Sequence, residues 1–70
     1  MQNKLIGYLR KSDHGGALKF SLGVEAFESA QRYQTKDSKE YVTLIANLEK
    51  VREVIDGERA VTSIYQLLED

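Results

Sequence analysis

His14 is the one imidazole in this 70-residue sequence, and it follows Asp13 in a polar link that ends in two glycines. An imidazole beside a carboxylate can act as a general base or bind a metal ion when further groups converge on it. Zinc requires three or four protein ligands, and the sequence has no second histidine and no cysteine. We therefore expect His14 to be a solvated turn residue, and we predict no metal site.

The other residue patterns with catalytic potential are equally incomplete. Ser63 is not part of the strand-turn-helix motif that exposes a nucleophilic serine. Gly15 and Gly16 lack the further glycine and the Lys-Ser/Thr pair of a phosphate-binding loop, so a turn explains them better. Glu49 and Glu53 are expected on the solvated side of a helix. The sequence thus predicts a protein that is not an enzyme, with no catalytic residue and no small-molecule cofactor.

Basic and aromatic side chains coincide in the first third of the chain. Proteins that bind single strands without sequence preference combine a basic track with aromatic faces, and each stacked base contributes about 1–3 kcal/mol. The competing interpretation is that the tyrosines belong to the core and the cations form a solvated rim. Our leading hypothesis is a non-catalytic accessory protein that binds single-stranded nucleic acid, DNA included. Its predicted site consists of Tyr8 and Arg10 on one strand face, the adjacent Lys11, Lys19 from the partner strand, and Tyr41 if a third strand joins them.

The C-terminal segment supports a second hypothesis. Residues 61–68 carry no charge, and natural sheet edges are normally protected by Lys or Pro. Such a segment is either an inner strand or an edge that pairs with another chain, most simply a second copy across a two-fold axis. The alternative function is therefore a protein-interaction module that forms a homodimer, with Val61, Ser63 and Tyr65 at the interface.

Two alternating segments, 4–11 and 17–22, flank the turn-rich link 12–16 and predict a β-hairpin. Gly7 interrupts the first strand, and glycine is tolerated there when the strand bends or another backbone approaches closely. We expect this strand to be apolar on both faces, with Leu5 and Leu9 on one and Ile6 and Tyr8 on the other.

The remaining segments alternate between helical and extended patterns. An apolar stripe of Val24, Phe27 and Ala30 predicts a helix over 23–33, which we expect to pack against Leu18, Phe20 and Leu22. The sequence then predicts a turn over 34–39, a buried inner strand over 40–46, a helix that begins at the N-cap Asn47 and stops at Gly57, and a strand over 59–68.

The predicted fold class is α+β, in one domain spanning residues 1–70. The order β-β-α-β-α-β favours a small antiparallel or mixed sheet with two short helices on one face. A small barrel of the oligonucleotide-binding kind is the alternative.

Charge and cysteine usage restrict the setting in which the protein works. Net charge is −1, with +3 over residues 1–39 and −4 over residues 40–70, so an anionic partner could be oriented to one side. Small secreted domains usually need disulfides, and this sequence has no cysteine. The N-terminal residues lack the hydrophobic run of a signal peptide. We therefore expect a cytoplasmic protein with no membrane partner.

Overall fold

Two antiparallel sheets and two helices make up the computed structural model, which describes residues 2–68; Met1, Glu69 and Asp70 lie outside it. The predicted small α+β fold is confirmed. The sheets do not close into a barrel within the described range, so the alternative of an oligonucleotide-binding barrel is wrong. The elements, in chain order, are β1 (Gln2–Lys11), β2 (Leu18–Leu22), α1 (Val24–Glu28), β3 (Tyr33–Gln34), β4 (Glu40–Tyr41), α2 (Leu48–Ile55) and β5 (Thr62–Leu68).

The main sheet has the strand order β2-β1-β5, and both pairings are antiparallel. The link between β1 and β2 closes with a bond from the Ser12 amide to the Ala17 carbonyl, 2.8 Å long. Gly15 supplies the left-handed residue of this turn, with φ of 74°, a conformation that costs glycine little. The predicted hairpin is therefore confirmed.

Gly7 marks a β-bulge in the centre of β1. Leu5 pairs with Tyr65 and Gly7 pairs with Ile64, so Ile6 is an extra residue without a partner on β5. A bulge of this kind bends the strand and increases its twist. A Cβ at Gly7 would lie 2.0 Å from the Ser21 carbonyl oxygen, which confirms the close backbone approach expected at this glycine.

The bulge also changes which side chains of β1 share a face. Leu5 was expected to lie with Leu9, but the extra residue reverses the alternation between them. Leu9 is buried, whereas Leu5 is 51% exposed on the other side of the sheet. The prediction that Leu5 and Leu9 share a face is therefore wrong, because it assumed that side chains alternate without interruption along β1.

The core lies between α2 and one face of the main sheet. Leu9, Val54 and Ile64 form its buried centre, and Leu18, Leu44 and Val51 pack around them. Two members of the stripe expected from the first helix are not buried, since Val24 is 70% exposed and Phe27 is 37% exposed; Ala30 is buried but lies after the end of α1. Of the predicted partners on β2, Leu18 packs against the core, but Phe20 is 63% exposed and Leu22 is 39% exposed. The predicted packing of α1 on these β2 residues is therefore wrong.

Helix α1 is shorter than expected, and beyond its end a distant side chain binds the backbone of Gln31. Gln66 is buried, and its Oε1 accepts a 2.8 Å bond from the Gln31 amide while its Nε2 donates a 2.8 Å bond to the Gln31 carbonyl. The same Nε2 donates to the Thr43 carbonyl at 3.4 Å. These bonds hold the segment that follows α1 against β5.

The predicted strand over 40–46 is replaced by two shorter pairings. Tyr33 pairs with Tyr41 in the small β3-β4 sheet, on either side of the polar turn expected from the sequence. Farther along, Ile45 and Tyr65 exchange two backbone bonds of 2.7 and 2.9 Å. Residue 45 thus covers the outer side of β5 at one point, and the buried inner strand expected here is not formed.

Helix α2 begins and ends where the sequence predicts. The Asn47 side chain accepts a 3.0 Å bond from the Lys50 amide, and Gly57 follows the helix with φ of 82°. At eight residues, α2 is the longer of the two helices in the described range. Neither is long and apolar enough to cross a membrane.

Replacing Asn47 with alanine should lower the free energy of unfolding by about 1 kcal/mol, because the first turn of α2 loses its side-chain cap. Urea denaturation followed by circular dichroism would measure the change. Asn3→Ala is the matched control, since Asn3 is exposed on β1 and caps no helix. Equal effects of the two substitutions would contradict a capping role.

Candidate nucleic-acid interface

The main sheet has one covered face and one open face. Side chains of directly paired residues in antiparallel strands project to the same side, and α2 packs on the side of Leu9 and Ile64. The opposite side, which we call the open face, carries Leu5, Tyr8, Arg10, Lys19, Ser21, Ser63 and Tyr65. Helix α2 leaves this side uncovered, and Tyr8 at its centre is 46% exposed.

Arg10 and Lys19 are direct cross-strand partners on the open face, and both are exposed. Like charges opposite each other are destabilising unless an anion lies between them. None of the residues in β1, β2 and β5 is Asp or Glu. The ion pairs formed within residues 2–68 involve Lys39 with Asp37 and Arg59 with Glu53, so neither Arg10 nor Lys19 is paired with a carboxylate among these residues.

Tyr8 lies in the central strand between two small residues. Its cross-strand partners are Ser21 on β2 and Ser63 on β5. Serine side chains are too short to cover the neighbouring Tyr8 ring, so a planar ligand can reach this ring. The two hydroxyl groups beside it can donate or accept hydrogen bonds.

A second apolar pair follows Tyr8 along the open face. Leu5 and Tyr65 are cross-strand partners, and they border an open groove of about 330 Å³ that also includes Asn3, Ser63, Asn47 and Lys50. Tyr65 is half-buried here. Lys50, from the first turn of α2, brings a further cation to the edge of the open face.

Lys11 is the predicted site residue that lies on the other face. It pairs with Leu18 on the covered side of the sheet, and its Nζ donates a 2.9 Å bond to the carbonyl of Ile55. That carbonyl belongs to the C-terminal end of α2, where unpaired carbonyls and the helix dipole favour a cation. Lys11 therefore contributes to the packing of α2 and is not brought together with Tyr8, Arg10 and Lys19.

Tyr41 is also separate from the open face. It lies in β4, where its ring stacks on that of Tyr33 with centroids 5.8 Å apart and an interplanar angle of 27°. Both rings are about half exposed. The third strand that was expected to carry Tyr41 towards Tyr8 belongs instead to the small second sheet.

The residues predicted for a dimer interface occupy three different environments. Tyr65 pairs with β1 on one side and with Ile45 on the other. Ser63 lies on the open face beside Tyr8, and Val61 is half-buried just before β5 begins. The homodimer through this strand stays a prediction, with the outer backbone groups of Tyr65 already occupied.

Sequence reasoning missed Leu5 and Lys50 as residues of this surface. Leu5 reaches the open face only because the bulge shifts the alternation of β1, and the one sequence signal for the bulge is Gly7 inside a strand pattern. Lys50 reaches the groove through the packing of α2, which local sequence does not specify. Comparison with protein-family models, curated proteins and solved structures found no match for the chain.

Proposed function

We propose that this protein binds single-stranded nucleic acid across the open face of its main sheet. The supporting observation is the row formed by Arg10 and Lys19 beside the exposed ring of Tyr8, on strands that carry no carboxylate. Exposed sheet faces with aromatic side chains are a recurrent platform for unpaired bases. The proposed role is accessory and non-catalytic.

Phosphates bind the Arg10 and Lys19 end, and bases lie over Tyr8 and Tyr65. Two residues along a strand span roughly 7 Å, which separates the Tyr8 row from the Tyr65 row. Duplex DNA keeps its bases stacked inside the helix, so its bases cannot lie on these rings. We therefore infer a preference for single strands over duplex of the same length.

Few cations are available, so affinity is expected to be weak and moderately dependent on salt. Arg10, Lys19 and Lys50 could neutralise about three phosphates, which gives a slope of about −2 for log K against log salt with single strands. A slope near zero would indicate binding without phosphate contacts. We further propose that the protein works in the cytoplasm, in keeping with its lack of cysteine.

The decisive experiment is fluorescence polarisation with a labelled mixed-sequence oligonucleotide of about 12 nucleotides, a length suited to one small binding face. The double variant Arg10→Gln/Lys19→Gln should lose at least about 10-fold in affinity near 50 mM salt, and the loss should shrink near 200 mM because the release of each counterion into more concentrated salt gains less free energy. The matched control is Lys36→Gln/Lys39→Gln, which removes the same charge from the exposed turn after β3.

Tyrosine variants test the base-stacking part of the proposal. Tyr8→Ala should weaken binding about 5- to 150-fold, the range set by loss of one stacked base. Tyr41→Ala has the same chemistry but lies in the second sheet, and it should leave affinity unchanged. Lys11→Gln should also bind as the parent does, provided that circular dichroism shows a folded protein.

Two results would contradict the proposal. One is the absence of any salt-sensitive affinity of the parent for single strands at hundreds of micromolar. The other is an equal loss for the Arg10/Lys19 and Lys36/Lys39 variants, because it would show that net charge alone drives the attraction. In either case the protein-interaction module becomes the better function.

A further inference from the structure

Strand β2 has an outer edge that no strand within residues 2–68 covers. The Ser12–Ala17 and Ile6–Gly23 bonds fix which residues of the hairpin face β1. Antiparallel ladders alternate, so Lys19 and Ser21 direct their backbone groups towards β1. The amides and carbonyls of Leu18, Phe20 and Leu22 therefore point outward, which makes them a template for another strand.

The side chains at this edge are apolar and unusually exposed. Phe20 and Leu22 lie on the same face as the core, but α2 does not reach over them. Val24, which follows directly, is exposed as well. An uncovered phenylalanine in the middle of an open edge strand is a feature of association surfaces in soluble proteins.

The exposed surface area of the chain is large enough to include an interface with a second copy. The chain exposes 5497 Å², about 1,000 Å² more than is typical for a compact protein of its mass. Its radius of gyration of 13.8 Å also exceeds the roughly 11 Å expected for a domain of this length. Specific interfaces bury about 800 Å² on each partner, so the surplus is large enough to supply one interface.

We propose that two copies of this chain pair through their β2 strands in antiparallel orientation, with a two-fold axis at Phe20. In this register Phe20 faces Phe20 of the second copy, and Leu18 faces Leu22. These are the positions whose backbone groups point outward, so each pair can exchange two hydrogen bonds. Lys19 then lies opposite Ser21 of the second copy, so the two Lys19 side chains are diagonal neighbours and are not directly opposed.

The dimer has a six-stranded sheet with a continuous open face. The β5 edge was the expected site of self-association, but Tyr65 already pairs with Ile45 there. Pairing through β2 places the Arg10 and Lys19 rows of both copies on either side of the two-fold axis. Self-association itself does not depend on nucleic-acid binding.

Sedimentation equilibrium of the full chain, from about ten to several hundred micromolar, tests the proposal. The parent should be a dimer at the upper end. Phe20→Glu should weaken the dimer by at least about 30-fold, the size of one interface hot spot. Leu67→Glu is the matched control, because Leu67 is similarly an exposed apolar residue but lies in β5; this variant should remain dimeric.

Amide hydrogen exchange of the parent provides a second test that does not require a variant to fold. The outward amides of Leu18, Phe20 and Leu22 should become protected as concentration rises, whereas those of Lys19 and Ser21 are protected at every concentration. A monomer at several hundred micromolar would overturn the proposal. So would a dimer whose three outward amides exchange freely, or one that Leu67→Glu disrupts and Phe20→Glu does not.

Discussion

Replacing Gly7 with alanine is expected to unfold most of the protein at room temperature. The new Cβ would lie 2.0 Å from the Ser21 oxygen and 2.9 Å from the Leu22 Cα. Both are backbone atoms of the neighbouring strand, so no side-chain rotation can relieve the overlap. The strand pair must separate or the bulge must be lost. A domain of this length has about 3.5–10 kcal/mol of stability in total, and its small core places it near the lower limit.

Circular dichroism and thermal melting of Gly7→Ala would measure this effect. Gly16→Ala is the matched control, because a Cβ at Gly16 meets no atom within 4 Å and its φ is not positive. That variant should melt within a degree or two of the parent. A cooperative transition of Gly7→Ala near the parent temperature would show that the close approach of β1 and β2 is not required.

Local signals in the sequence were sufficient for the hairpin and for α2. Glycine and polar residues between two alternating segments specify a β1-β2 hairpin regardless of what packs on it. Asn47 and Gly57 define both ends of α2 through backbone chemistry that acts within a single turn. The grouping of Tyr8, Arg10 and Lys19 followed from the same local information, because the hairpin register alone determines it.

Tertiary pairings account for the parts that could not be predicted. The helical period extends to Tyr33, yet α1 ends at Glu28, and the Gln31 backbone is bound instead by Gln66, 35 residues away in sequence. Tyr41 is paired with Tyr33 instead of with β1. Alternation along β1 is enough to place Lys11 on the face opposite Arg10, but only the tertiary structure shows that the end of α2 accepts its ammonium group there.

Replacing Gln66 with leucine should cost about 2–3 kcal/mol, the second largest loss of stability that we expect. Gln66 is only 5% exposed, and its side chain satisfies both the amide and the carbonyl of Gln31. Leucine has a similar volume but leaves these groups without partners, at about 1–3 kcal/mol for each fully buried group. The bonds are only part-buried, which places the sum towards the low end. Urea denaturation measures the loss; Leu67→Gln, a change at the next, exposed position, should cost much less.

Gln66→Glu turns the same contact into a pH-dependent one. The protonated carboxyl group can still accept from the Gln31 amide and donate to the Gln31 carbonyl, whereas the carboxylate has no proton to donate to the carbonyls of Gln31 and Thr43. Burial and these two carbonyls raise the pKa of the introduced carboxyl group in the folded state above its unfolded value of about 4.3.

A raised pKa stabilises the folded state of Gln66→Glu at pH values below the unfolded pKa, and this contribution is lost as pH rises through the folded pKa. The stability deficit of the variant relative to the parent should therefore be small near pH 4 and large near pH 7. A deficit of equal size at both pH values would mean that Gln66 does not hold the Gln31 backbone through paired donor and acceptor bonds.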